Sequence, residues 1–184
     1  MEIKLLITDF DGTLVNTFKA NYHAYREAFD VLGLSLSEAQ YRKCYGLRFD
    51  GFMDAMGIDD KETRKLIRAH KGDCYPDYFN MFEVNDALLG FIRMFRQSGG
   101  KTSVASTARG KNLTNALNHI GAIDDFDLIL AGEDVVEGKP SPEIYNTVMA
   151  RMGVNPDETL IFEDSEVGLR AAQASGAHYI KITL

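Results

Sequence analysis

The 184-residue sequence contains few cysteines and no long apolar run. Cys44 and Cys74 lack the paired spacing of a disulfide framework or a zinc site, so we expect two reduced thiols in a reducing compartment. A membrane-spanning helix needs about 20 apolar residues in succession, and no such run occurs. The chain enters a predicted strand at once, which argues against a signal peptide. We therefore predict a cytoplasmic protein with no membrane partner.

Basic residues are also in deficit. The sequence has 20 Lys and Arg against 27 Asp and Glu, which gives a formal net charge of -7. Nucleic acids and anionic membranes favour basic patches, so neither is expected as the main partner. A few basic residues in a cleft can still bind an anionic substrate, because Coulomb interactions are strongest at short range. The four histidines show no metal-ligand spacing.

The apolar residues follow an alternating βα pattern that one helical block interrupts. Short apolar runs predict strands at 3–7, 102–105, 128–131, 159–162 and 179–182. Helical spacing, ended in most cases by Gly, predicts helices at 17–32, 37–44, 49–56, 61–78, 85–97, 111–120, 142–152 and 166–175. The alternation predicts an α/β fold, a Rossmann-like parallel sheet sandwiched by helices. The helical block predicts an inserted all-helical cap at 17–79, with the core formed by 1–16 and 80–184.

Two acids follow the first predicted strand, in the sequence Asp9-Phe10-Asp11-Gly12-Thr13. Ligands of open α/β sheets bind beyond the carboxyl ends of the strands, so this acid pair is placed for chemistry. Asp-Gly-Thr is also ordinary turn chemistry. The motif alone therefore leaves a catalytic role and a turn-forming role open.

Polar residues follow the later strands as well. Ser106 and Thr107 precede a predicted helix, where hydroxyls and backbone N–H groups can form a phosphate cradle. Taken alone, this stretch favours the simpler role, in which one of the two residues caps the helix. Lys139 lies between Gly138 and Pro140 in an otherwise acidic loop. It is either a point charge on a restrained backbone or a solvated surface lysine.

Glu163 and Asp164 stand where another predicted strand ends and a helix begins. Asp164 by itself is compatible with an N-cap. Together with Asp9 and Asp11, however, it predicts three carboxylates at one edge of the sheet, and such a cluster repels itself unless a cation binds. A small set of oxygen ligands with room for water and phosphate indicates Mg²⁺. Acids, a hydroxyl and a lysine after separate strands predict phosphoryl transfer.

In order along the chain, these motifs resemble the four motifs of the haloacid dehalogenase superfamily. The segments 138–143 and 163–172 are most similar to its β-phosphoglucomutase-like phosphatases, a branch in which a helical cap follows the first motif. The resemblance implies that Asp9 is a nucleophile that forms an aspartyl-phosphate. It implies that Asp11 is first general acid and then general base. Dehalogenases of the superfamily have no aspartate at the Asp11 position, which favours phosphate chemistry.

The resemblance also implies the binding residues. Ser106 and Lys139 would hold the phosphoryl oxygens. Mg²⁺ would be bound by Asp9, the carbonyl of Asp11 and Asp164, with Glu163 nearby in a supporting role. The substrate-binding candidates, in addition to Ser106 and Lys139, are Thr17, Asn21, Arg48 and Thr107.

The predicted function is Mg²⁺-dependent hydrolysis of a small phosphorylated metabolite, a sugar or polyol phosphate, by a monomer. A phosphosugar mutase with the same site is the alternative. Asn16, Asn21 and Phe49 stand where the mutase has an acid, a histidine and an arginine, which disfavours that alternative. A phospholigand-binding protein without activity is disfavoured by Asp11, because binding needs no acid/base residue.

Overall fold

The computed structural model describes residues 2–184 and divides the chain into two compact units. The larger unit comprises the segment up to Asn16 together with Glu83–Leu184, and the smaller unit comprises Thr17–Phe82. The strands are β1 (Leu5–Thr8), β2 (Val15–Asn16), β3 (Glu83–Val84), β4 (Lys101–Ala105), β5 (Leu128–Leu130), β6 (Thr159–Glu163) and β7 (His178–Lys181). The α-helices are α1 (Phe18–Asp30), α2 (Glu38–Cys44), α3 (Phe49–Ala55), α4 (Lys61–Cys74), α5 (Asp86–Gln97), α6 (Gly110–His119), α7 (Glu143–Met152) and α8 (Glu166–Ala174).

The larger unit is built on a five-stranded parallel sheet of order β5-β4-β1-β6-β7. In register, Thr8 of β1 lies beside Val104 of β4 and Phe162 of β6. The carboxyl ends of these strands therefore meet at one edge. The strand order reverses at β1, as it does at the ligand-binding crevice of open α/β sheets. The predicted α/β fold with a parallel sheet is confirmed.

The central strand β1 is buried along its whole length, which explains its uninterrupted apolar run. The core of the larger unit includes residues of the sheet, of α7 and of α8. Its buried members are Leu5, Ile7, Ala105, Leu130, Ile144, Tyr145, Val148, Met149, Val154, Ile161, Ala171, Ala172 and Ala177. Tyr145 heads the largest fully buried side chains in the described chain, and it is the one phenol in this core.

A short antiparallel ribbon, β2 with β3, joins the two chain segments of the larger unit and was not expected from the sequence. Val15 pairs with Val84, and Asn16 pairs with Glu83. The Asn16 amide also donates to the Glu83 carboxylate at 2.9 Å. Strands of two residues are too short for an alternating pattern to be visible. Asn85 then caps α5 by accepting from the Leu88 N–H at 3.1 Å.

In the smaller unit, every regular element between Thr17 and Phe82 is helical, as predicted. Its apolar core is formed by Ala28, Phe29, Leu36, Tyr41, Phe52, Met53 and Ile67. The predicted helix 61–78 is too long, since α4 ends at Cys74 and a 3-10 helix, Tyr75–Met81, follows. Pro76 explains the difference, because proline lacks the N–H that would continue the α-helix. None of the described helices is long and apolar enough to cross a bilayer.

Candidate active site

Lys139 lies at the centre of a buried group of charges at the carboxyl edge of the sheet. Its ammonium donates to Asp9 Oδ1 and to Glu163 Oε1, each at 2.6 Å. Asp9 is 6% exposed, Lys139 9% and Glu163 1%. A solvated loop lysine is therefore ruled out. Buried charges are tolerated in a protein when they are paired and hydrogen-bonded, and this lysine has a carboxylate on either side.

The electrostatics of this group depend on the balance between burial and pairing. Burial raises the pKa of Asp9 well above its usual range, and the Lys139 ammonium opposes that rise. Burial acts to lower the pKa of Lys139, but the negative charges of Asp9 and Glu163 outweigh it and leave that pKa well above its usual value. Lys139 therefore stays charged at neutral pH. The ionised form of Asp9 relies on Lys139 as its counterion.

The Glu163 carboxylate is fully engaged by protein donors. Oε1 accepts from Lys139 and, at 3.2 Å, from the Tyr145 hydroxyl. Oε2 accepts from the Ser165 backbone N–H at 2.9 Å and from its hydroxyl at 3.0 Å. A Cβ at Gly168 would lie only 1.8 Å from Oε1, so glycine leaves the space that this carboxylate occupies. Four protein donors to one carboxylate agree with the supporting role expected of Glu163 beside the metal ligands, and that role stays a prediction.

Asp164 lies beside the first motif. Its Oδ1 accepts from the Thr13 hydroxyl at 2.8 Å. A Cβ at Gly12 would lie 2.3 Å from its Oδ2, and Gly12 has φ +92°, a conformation that side chains other than hydrogen rarely allow. Burial raises the pKa of Asp164 above its ordinary value. Asp164 is not an N-cap, because Ser165 caps α8 by accepting from the Gly168 N–H at 3.0 Å.

The oxygen donors available for a cation are fewer than the sequence suggested. Among residues 2–184, no group of three or more His, Cys, Asp or Glu side chains is arranged to hold a metal ion, so the expected cluster of three carboxylates is not found. Asp11 is half-buried and near enough for its charge to raise the pKa of Asp9. Two carboxylates, Asp9 and Asp164, emerge from adjacent strand ends. Carboxylate and carbonyl oxygens are the donors that Mg²⁺ prefers. Binding of Mg²⁺ by Asp9, Asp164 and the backbone carbonyl of Asp11 stays a prediction.

Ser106 and Thr107 follow β4 on the other side of β1. Ser106 is 1% exposed, and its hydroxyl accepts from the Ala108 N–H at 3.0 Å, which leaves its proton available for donation. Thr107 is exposed. The N-cap position of α6 belongs to Arg109, so neither hydroxyl caps that helix. The capping role is therefore wrong for both residues, and phosphate binding by this loop stays a prediction.

The remaining predicted substrate residues lie in the smaller unit. Thr17 precedes α1 and is buried; its hydroxyl accepts from the Asn21 amide at 3.0 Å and lies 3.4 Å from the Tyr45 hydroxyl. Arg48 precedes α3 and is exposed. Contact of Thr17 or Arg48 with a substrate stays a prediction.

Two contributors to the site were missed in the sequence. Tyr145 follows the apolar spacing of α7 and looks like a core residue, although a buried tyrosine hydroxyl needs a polar partner, and that requirement was the available signal. Thr13 was noted as part of a turn, and its bond to Asp164 joins residues 151 positions apart in sequence. Local pattern does not reveal contacts of that range.

The haloacid dehalogenase-like hydrolase family matches residues 6–182. The chain belongs to this family. The match spans nearly all of the chain, so it includes both the sheet with its acidic edge and the helical insertion. The resemblance inferred from the four motifs is confirmed.

Similar members of the family support the enzyme class. The protein CbbY of Rhodobacter capsulatus is 31% identical over 196 residues, which cover 98% of this chain and 85% of that protein. A phosphorylated carbohydrates phosphatase of Thermotoga maritima is 26% identical over 184 residues, covering 97% of this chain and 84% of the phosphatase. A crystal structure of CbbY from Rhodobacter sphaeroides in complex with phosphate has a TM-score of 0.89 at 25% identity, covering 99% of this chain and 87% of that one. These findings agree with the predicted phosphoric monoester hydrolase.

Proposed function

We propose that this haloacid dehalogenase-like hydrolase is a Mg²⁺-dependent phosphatase that hydrolyses a small sugar or polyol phosphate through an aspartyl-phosphate. The observation that carries the proposal is the buried Lys139 ammonium held against Asp9 Oδ1 at the carboxyl ends of the central strands. It fixes a positive charge next to a carboxylate nucleophile. Fixed charges of this kind stabilise the negative charge of a phosphoryl group in the transition state.

In the first half-reaction, a carboxylate oxygen of Asp9 forms a bond to phosphorus while the bond from phosphorus to the substrate oxygen breaks. Asp11 donates its proton to that leaving oxygen. In the second half-reaction, Asp11 accepts a proton from the water that attacks phosphorus and releases Asp9. Throughout, Lys139 neutralises charge on the phosphoryl oxygens, and the Ser106 hydroxyl donates to one of them.

Mg²⁺, when bound by the carboxylates of Asp9 and Asp164 and the carbonyl of Asp11, supplies charge neutralisation at the phosphoryl group. We expect phosphate release from a panel of sugar phosphates and an aryl phosphate to fall by about 10²-fold or more when a chelator removes Mg²⁺, since metal charge stabilisation contributes several kcal/mol. Restoration by added Mg²⁺ is the control. Full activity in chelator would contradict the metal requirement.

The same panel separates the phosphatase from a phosphosugar mutase. A phosphatase releases inorganic phosphate, whereas a mutase exchanges phosphosugar isomers in the presence of a bisphosphate and releases little. A mutase must keep water from its aspartyl-phosphate, which requires a closely fitted cap. Phe49 at the position of the mutase arginine makes that fit unexpected, and isomer exchange without phosphate release would overturn the proposal.

The role of Asp11 predicts an effect that depends on the leaving group. Asp11→Asn removes the proton that a sugar alkoxide needs in order to leave, and general acid–base catalysis contributes about 10²–10⁴-fold. We expect losses of that size in kcat for sugar phosphates and a smaller loss for an aryl phosphate, because a phenolate leaves without protonation. Equal losses on both substrates would contradict a general-acid role.

We further propose that the smaller unit, Thr17–Phe82, acts as the cap that selects the leaving group. Thr17 and Arg48 in that unit, and Thr107 after β4, are the side chains assigned to substrate selection. The proposal is supported by their polarity and by their position next to element ends. Alanine variants at these positions should change the ranking of sugar phosphates by kcat/KM while leaving the aryl phosphate rate within about 3-fold.

A further inference from the structure

Tyr145 is a buried polar group of the site that the proposed chemistry does not use. It is 0% exposed, and its hydroxyl donates to Glu163 Oε1 at 3.2 Å. The Lys139 ammonium lies 5.1 Å from the centre of its ring. The phenol therefore touches both Lys139 and the carboxylate that competes with Asp9 for Lys139.

The ring and the hydroxyl of Tyr145 have separable functions. The ring fills the core between α7 and the sheet, which a phenylalanine of the same shape would also do. The hydroxyl contributes nothing to apolar packing, and its partner is the oxygen that binds Lys139. A hydroxyl in the core is explained by that contact and by nothing in the packing.

Two donors share Glu163 Oε1, the ammonium at 2.6 Å and the phenol at 3.2 Å. A carboxylate oxygen accepts both, and each donor takes up part of its negative charge. Without the phenol, Lys139 is the one remaining donor to that oxygen among the described side chains. Glu163 would then attract the ammonium more strongly, at the expense of Asp9 on its other side.

We propose that Tyr145 is a positioning residue, whose hydroxyl restrains Glu163 and so keeps the Lys139 ammonium beside Asp9 where a phosphoryl group binds. The inference rests on the proposed function, because phosphoryl binding by Lys139 is part of that function. The hydroxyl of Tyr145 bonds to Glu163 and its ring lies beside Lys139, so we expect its effect to pass through these two residues.

We expect Tyr145→Phe to lower kcat about 10-fold, equivalent to about 1.4 kcal/mol, with KM changed by less than about 2-fold. We expect kcat to change and KM to stay nearly constant because Lys139 stabilises the charge on the phosphoryl oxygens more strongly in the transition state than in the bound substrate. The matched control is Tyr75→Phe, which removes the hydroxyl of a buried tyrosine in the smaller unit. The control should keep wild-type kcat and KM.

A double-mutant cycle tests the route through Glu163. Wild type, Tyr145→Phe, Glu163→Gln and the double variant are compared for kcat/KM on an aryl phosphate and for orthophosphate affinity by calorimetry. If the hydroxyl acts through the Glu163 carboxylate, Tyr145→Phe changes either quantity by less than about 2-fold once Glu163 is Gln. Orthophosphate affinity shows whether each variant still forms the phosphate site, so that a change in kcat/KM is compared between intact pockets.

The outcomes separate the inference from the proposed function. Effects that multiply in the double variant, or a Tyr145→Phe enzyme with wild-type kcat and wild-type orthophosphate affinity, overturn the positioning role while leaving an active phosphatase. A wild-type protein that neither releases nor binds phosphate overturns the proposed function and the inference with it.

Discussion

Asp9→Asn is expected to abolish phosphate release, with kcat lowered by at least about 10⁴-fold, the order of loss when an enzyme loses its nucleophile. An amide oxygen does not attack phosphorus as a carboxylate does. The replacement keeps the size of the side chain, and Lys139 keeps its bond to Glu163. The fold should therefore persist, and the melting temperature of the variant should stay close to that of the wild type.

The control for this result is Asp157→Asn, the same chemical change at an exposed position in the 3-10 helix that precedes β6. It lies at the amino end of that strand, away from Lys139, and should retain the wild-type rate. Orthophosphate binding to the Asp9→Asn protein shows that the pocket is intact. An Asp9→Asn enzyme that hydrolyses the best sugar phosphate within 10-fold of wild type would exclude Asp9 as the nucleophile.

The sheet was predictable because its strands are short apolar runs between glycine-ended helices. All five predicted strands are present, with ends shifted by a few residues. The shift at β6 is informative, since Glu163 belongs to the strand and pairs with Lys181. An acid at the end of an apolar run looks like the start of a loop. Its burial depends on Lys139, Tyr145 and Ser165, which no local pattern places around it.

The sequence predicted which residues lie at the candidate site better than it predicted which of them contact each other. The position of Asp9, Ser106 and Asp164 at one edge follows from strand order in a parallel sheet. The sequence does not show that Lys139 is shared between Asp9 and Glu163, because these bonds join residues 130 and 24 positions apart. It also does not show that Glu163 faces protein donors, whereas its neighbour Asp164 lies beside Gly12 and Thr13. Adjacent residues at a strand end point to opposite faces, so consecutive acids take different roles.

The contacts of three buried charged residues, Glu163, Lys139 and Asp9, explain how they can lie together at the carboxyl edge of the sheet. Glu163 is nearly inaccessible and has four protein donors, and it provides a fixed negative charge for Lys139. Lys139 in turn supports the ionised form of Asp9. In the proposed reaction, the positive charge of Lys139 is therefore stabilised by the buried Glu163 carboxylate, which is bound by protein donors alone among the described residues. Disturbing that carboxylate should disable the site without touching the nucleophile.

Gly168→Ala makes that disturbance and is expected to be strongly harmful. The added Cβ would lie 1.8 Å from Glu163 Oε1, so the carboxylate must move away from Lys139 and Tyr145. Overpacking and a weakened buried ion pair together should lower the free energy of unfolding by about 2–4 kcal/mol. For a chain of this size, the melting temperature should fall by about 5–15 °C. Phosphate release should fall by about 10²-fold or more, since small displacements of charged groups have effects of that order.

The expected loss of stability in Gly168→Ala is opposite to the gain that helix propensity predicts. Alanine is favoured over glycine inside a helix by about 1 kcal/mol, so helix propensity alone predicts that Gly168→Ala in α8 stabilises the protein. Gly90→Ala in α5 is the matched control: among the described residues, no atom outside its own helix and chain neighbours lies within 4 Å of the Cβ position. Gly90→Ala should raise or preserve the melting temperature and keep the rate. If the two variants have the same melting temperature and the same rate of phosphate release, the Glu163 carboxylate does not lie against Gly168. The proposed stabilisation of Lys139 by Glu163 would then be wrong.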